Sequence, residues 1–123
     1  MRTTFFSLFL LFFGAVAAQQ KNAPLPNIIP EPVEMTSGQG QFTISRATRV
    51  YAADKEAEKS AKYFIDYFNR HFGYRLALAK KDAGEDLIVF SDRKNGETSG
   101  GYTLTVTPEA IRIEGNDGPG VFY

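Results

Sequence analysis

Few residues in this chain are of types that do chemistry, and none stands in a spacing that makes a site. His71 is the only imidazole in 123 residues, and there is no cysteine. An imidazole can act as a general base or a metal ligand. His71, however, falls at the C-terminal end of a periodic apolar segment, where a cation interacts well with the helix dipole, and it reads as a surface cap. Glu85-Asp86 and Asp92-Arg93-Lys94 carry carboxylates that acid–base catalysis would need. Both groups sit among turn residues beside Lys80-Lys81 and Arg93-Lys94, so they read as solvated turn charge. Gly118-x-Gly120 has two glycines of a phosphate loop but neither the Lys-Ser/Thr nor the longer glycine spacing, and reads as a turn opening a helix. Tyr63 and Tyr67, four apart, could stack a sugar ring, yet they flank an apolar stripe and read as packing. No nucleophile–base pair, metal set or oxyanion device can be assembled. The sequence therefore assigns no catalytic, no cofactor-binding and no metal-binding residue, and it requires no cofactor.

The elements that would position such residues are easier to read. A helix is predicted from Asp54 to Phe72. Ala57, Ala61, Phe64, Ile65, Phe68 and Phe72 recur at spacings of three and four and so share one face. Asp54 is the expected N-cap, Glu56 and Glu58 suit the positive end of the dipole, and Gly73 is the expected left-handed C-cap. Strands are predicted at Gln41–Ser45, Arg49–Ala52, Arg75–Leu78, Leu87–Phe90, Tyr102–Val106 and Ala110–Glu114. Leu87–Phe90 is apolar on both sides and reads as a central strand. Tyr102, Leu104 and Val106 alternate with threonines, as in a strand with one face buried, and pair with the next segment as a hairpin. Gly115–Gly120 is turn-rich and launches a further element, which ends after Val121-Phe122-Tyr123. That ending predicts a chain cut off inside its second helix.

The chain opens with Met1-Arg2, an apolar run from Phe5 to Ala18 and the small residues Ala15-Val16-Ala17-Ala18, the pattern of a cleavable export signal. The run is shorter than the roughly 20 residues that span a bilayer, so no stable membrane span is expected. Residues 19–32, with Pro24, Pro26, Pro30 and Pro32, read as an extended leader, and 33–123 as one domain. With 14 Lys+Arg and 14 Asp+Glu the formal net charge is +0, which gives no electrostatic case for nucleic acid. Without cysteine there are no disulfides and no lipid-bearing N-terminal thiol, so an exported, periplasmic or extracellular protein that is not a lipoprotein is expected.

Ile28-Ile29-Pro30-Glu31-Pro32-Val33-Glu34 followed by Gly38-Gln39-Gly40-Gln41-Phe42-Thr43-Ile44 resembles the opening of bacterial β-N-acetylhexosaminidases of glycoside hydrolase family 20. Gly101-Tyr102-Thr103-Leu104-Thr105-Val106 into Ile111-Arg112-Ile113-Glu114-Gly115 is similar to a late hairpin of that opening domain, and Gly118-Pro119-Gly120-Val121-Phe122-Tyr123 to the start of its closing helix. The resemblance covers Ile28 to Tyr123. It implies an α+β accessory domain: an antiparallel-rich mixed sheet of about six strands, with one long amphipathic helix (54–72) on one face and a second helix cut off at the C-terminus. It also implies a following (β/α)8 catalytic barrel as partner, through which alone a glycan would be engaged. In that family the barrel supplies an adjacent Asp-Glu pair, with Glu as acid and Asp positioning the substrate's own acetamido nucleophile. No Asp-Glu in that order occurs in this chain. The resemblance leaves two rivals: the front domain of another glycosidase acting on acetamido sugars or uronic acids, and a free-standing carbohydrate-binding or interaction module built on an exposed aromatic platform.

Overall fold

The computed structural model describes residues 27–28, 31–93 and 99–122. The export-signal segment and most of the leader lie outside them. The chain divides into two units, Met1–Ser37 and Gly38–Tyr123. The described residues of the first form no helix or strand, and the second carries the fold.

Helix α1 (Lys55–Phe72) forms where the periodicity places it. Asp54 is extended, and its Oδ1 accepts from the Glu56 and Ala57 N–H groups, both at 2.9 Å. Oδ2 accepts from the Asp92 N–H at 2.9 Å, so one carboxylate caps the helix and also ties its start to a strand end. Such a cap is worth about 1 kcal/mol. Gly73, at φ 68°, ends the helix in the left-handed conformation that a side chain resists. Three ion pairs line the wet face: Glu56–Lys59, Glu58–Lys62 and Asp66–Arg70.

Five strands make one sheet: β1 (Arg49–Ala52), β2 (Ala77–Leu78), β3 (Leu87–Asp92), β4 (Tyr102–Val106) and β5 (Ala110–Gly115), in the order β2-β1-β3-β5-β4. A second helix, α2, is described over Gly118–Phe122. The α+β class, the long capped helix and the central position of Leu87–Phe90 hold.

Two expectations about the sheet do not. Among the described residues there are five strands rather than six, because Gln41–Ser45 joins no ladder. Its alternation has a different cause: Phe42 and Ile44 are half-buried against the core while Gln41 and Thr43, which alternate with them, are exposed, and one-sided burial alone produces a period of two. The sheet is also not antiparallel-rich. β1 pairs with β2 and with β3 in parallel, β3 pairs with β5 in parallel, and only β4–β5 is antiparallel. The 18 residues of α1 carry the chain back along the sheet, so the strand that follows runs in the same sense as β1. β5 then inserts between β3 and β4, which leaves β4 at the edge.

The register sorts the side chains. Val50, Ile88 and Ile111 lie in one row and Ala52, Phe90 and Ile113 in another, all on the helical side. They meet Ala57, Ala61 and Phe68 of α1 and Val121 of α2 in the core, with Phe64 against Phe90 at a ring separation of 5.7 Å. On the reverse side Leu87 and Val89 are buried, and Arg112, their neighbour on β5, is held by Asp82 through two bonds of 3.0 and 3.1 Å.

Candidate functional site

His71 and Glu85 are exposed, as the solvated readings have them, whereas Asp92 is half-buried as the last residue of β3 rather than part of a turn. His71 is exposed, with Nδ1 2.7 Å from the Tyr67 carbonyl oxygen, a ring closing the last turn of α1. Its ring stacks on Tyr67 at 4.2 Å. Asp86, at φ 58°, makes the turn into β3, and its carbonyl accepts from the Arg49 N–H at 3.0 Å. Arg93 forms a bidentate pair with Glu114, at 3.0 and 2.5 Å; Lys94 lies outside the described residues. An open depression of about 400 Å³ beside β2 is lined by Arg49, Leu78, Ala79, Lys80, Lys81 and Ala83. It offers cations but no carboxylate and no aromatic face. Among the described residues no group of His, Asp or Glu is placed to hold a metal ion.

Sequence reasoning missed Asp117. Its Oδ1 accepts from the Gly120 N–H at 2.8 Å and the Gly100 N–H at 3.0 Å, and its Oδ2 from the Ser99 hydroxyl at 2.7 Å. One side chain thus caps α2 and pins the turn that precedes β4. The contact is close: Gly120 lies so near the Gly101 carbonyl that a Cβ there would overlap it. The signal available was an Asx residue directly ahead of Gly-Pro-Gly, the place for a helix cap. Its partners at Ser99 and Gly100 were invisible at that sequence separation.

The bonds from Ser99, Gly120 and Gly100 hold the Asp117 carboxyl below the usual carboxylate range. A depressed carboxylate contributes stability above its unfolded-state pKa of about 3.9 and loses it as pH falls through the lower folded value. Asp117→Asn is therefore expected to lower the melting temperature clearly at neutral pH and much less in strong acid, where both proteins lack the charge. An equal loss at both ends of a pH series of thermal melts would show that the charge is irrelevant.

What the unit does present is apolar surface. Tyr63 and Tyr67 lie on the outer side of α1, mostly exposed rather than partly buried as expected, and Tyr63 meets Phe122 of α2 at 5.3 Å, tilted by 53°. On the helical side of the sheet, Leu104 and Val106 of β4 remain 46% and 51% exposed. α1 packs on β1, β2 and β3, and α2 on β3 and β5. The predicted face of β4 is thus the right one, but among the described residues neither helix packs on it closely.

Residues 25–123 match the family model described as "Glycosyl hydrolase family 20, domain 2". The chain belongs to this family. Solved structures agree at the level of the fold of this glycosyl hydrolase family 20 domain 2. A mutant Streptomyces plicatus beta-hexosaminidase in complex with its product GlcNAc is similar at 24% identity over 69% of this chain, with a TM-score of 0.59. The family 20 beta-N-acetylhexosaminidase of Streptomyces coelicolor A3(2) is similar at 22% identity over 74%, with a TM-score of 0.59. The family 20 exo beta-N-acetylglucosaminidase of Vibrio harveyi, in complex with N-acetylglucosamine, is similar at 18% identity over 83%, with a TM-score of 0.64. The domain 2 match spans only 17%, 18% and 16% of those three chains, respectively.

Proposed function

We propose that this chain is the non-catalytic front domain of an exported β-N-acetylhexosaminidase, which removes terminal β-linked N-acetylhexosamine through a (β/α)8 barrel that follows it. What supports the reading is the family match from residue 25 to 123, together with the apolar surface left open at Tyr63, Phe122, Leu104 and Val106. A domain with that surface and no acid–nucleophile pair suits a scaffold that buries its helical side against a larger neighbour. An aromatic sugar platform is the poorer reading: Tyr63 is tilted against Phe122, and Tyr67 is already covered on one face by His71.

Hydrolysis of a glycoside needs an acid at the leaving oxygen and a nucleophile or its positioner. The purified chain is expected to turn over a chromogenic N-acetylglucosaminide no faster than buffer does, and the same chain joined to its barrel to turn it over. Activity of the chain alone that Glu109→Gln or Asp117→Asn abolishes would overturn the reading.

Export rests on residues 1–18, and none of the helices among the described residues is long and apolar enough to cross a membrane. Cleavage is expected after Ala17 or Ala18, so mass spectrometry of the exported protein should find Ala18 or Gln19 at its N-terminus. Intact Met1 in a membrane fraction would contradict it.

A further inference from the structure

We propose that the outer edge of β4 is a self-association edge, at which a second copy of this chain adds its own β4 antiparallel about a two-fold axis at Leu104. Among the described residues no strand pairs with that edge, since β4 ends the sheet order. The direction of its backbone follows from the ladder on its other side. Thr107 N–H donates to the Ala110 carbonyl at 2.9 Å, and the pairing continues through Thr105↔Arg112 and Thr103↔Glu114. Hydrogen-bonded pairs recur at every second residue of an antiparallel ladder. Thr103, Thr105 and Thr107 therefore turn their N–H and C=O groups toward β5, while Tyr102, Leu104 and Val106 turn theirs outward.

An axis at Leu104 satisfies every one of those outward groups. Leu104 exchanges both bonds with Leu104 of the second copy, and Tyr102 does so with Val106. Side chains match as well: Leu104 meets Leu104 and Tyr102 meets Val106 on the helical side, and Thr103 meets Thr105 on the reverse side, the apolar and Thr–Thr cross-strand pairs that stabilise sheets.

Charge favours a copy of the same chain over a charged partner. Edge strands are normally guarded by lysines, inward charges or bulges. From Gly101 to Pro108 this one carries no ionisable side chain except the Tyr102 phenol. With a formal net charge of +0, two copies also meet without long-range repulsion. The pairing is isologous, so it closes at a dimer.

The test is sedimentation of the purified chain, with circular dichroism to confirm that each variant is folded. Leu104→Lys places two like charges at the axis, on a side chain already largely exposed, and is expected to weaken dimerisation about tenfold or more, equivalent to roughly 1.4 kcal/mol. The double change Thr103→Lys with Thr105→Lys should also give monomer. Thr103→Lys with Thr105→Glu sets opposite charges across the axis twice, and should keep the dimer. A chain that is monomeric at its highest soluble concentration overturns the proposal. So does association that all three variants retain, which would place contact at the apolar helical side, or association with open-ended growth.

Discussion

Phe90→Ala is expected to remove about 3–5 kcal/mol of stability, the range for deleting a buried phenylalanine side chain. Phe90 is 4% exposed at the middle of the central strand. It lies in register between Ala52 and Ile113 and packs against Phe64 of α1 at 5.7 Å, the rings tilted by 48°. Nothing next to it can close the gap, because the small residues around it belong to strands and a helix fixed by their own ladders. A domain of about 100 residues has stability near the low end of the usual 5–15 kcal/mol, so the loss would consume most of it. At roughly 4–8 °C per kcal/mol the melting temperature should fall by about 15 °C or more in a circular dichroism melt. Phe72→Ala supplies the contrast. Its ring is 57% exposed, stacked on Phe68 at 4.5 Å, and its loss should cost about 1 kcal/mol or less. Comparable losses in the two variants would mean that α1 sits on the sheet rotated from the described orientation.

That contrast also marks what the sequence could say. Periodicity placed Phe68 and Phe72 in one stripe, and the stripe is real, but it does not tell where the sheet beneath it stops. Phe72 overhangs the end. Similarly, the cap at Asp54 and the stop at Gly73 were legible, because both are satisfied by neighbours within a few residues. The third bond to the Asp54 carboxylate, from the Asp92 N–H, was not, being 38 residues away. Strand direction left no trace either: a run such as Leu87–Phe90 has the same composition whichever way it is paired. The Phe42–Ile44 segment imitated a strand, since docking on a core produces the same alternation as a ladder. As for the candidate surface, Tyr63 and Tyr67 were noticed for their spacing, but their exposure depends on which side of α1 meets β1 and β3. Leu104 and Val106 were placed on the correct face and still misjudged, because burial of that face needs a helix that the strand itself does not specify.

Adding about three turns of amphipathic helix after Tyr123 is expected to raise the melting temperature by about 10 °C or more and to reduce binding of a dye that reports exposed apolar surface. α2 leaves the sheet at the end of β5, where its Val121 packs against Gly115, and it lies on β3 and β5. Five residues of helix cover roughly 7.5 Å, whereas the six residues of β5 extend over about 20 Å. Beyond Phe122 the helical side therefore holds a strip made of Ile111 and Ile113, half-buried, and Leu104 and Val106, half-exposed. Each aliphatic side chain that passes from half-exposed to buried contributes about 1 kcal/mol, and each new apolar side chain from the helix about 1.5–3 kcal/mol. Ordering the added residues opposes this at about 1–2 kcal/mol each, with helical hydrogen bonds and the existing Asp117 cap working against that cost. A net gain of only 1–2 kcal/mol suffices for the predicted rise in a domain this small. The gain should depend on the apolar side of the added helix. Replacing its apolar positions with serine should return both melting temperature and dye binding to those of the 123-residue chain. If the extension changes neither, or the serine version stabilises equally, the strip at Leu104 and Val106 is not a seat for a helix, and the reading of this domain as a scaffold completed by further polypeptide loses its physical basis.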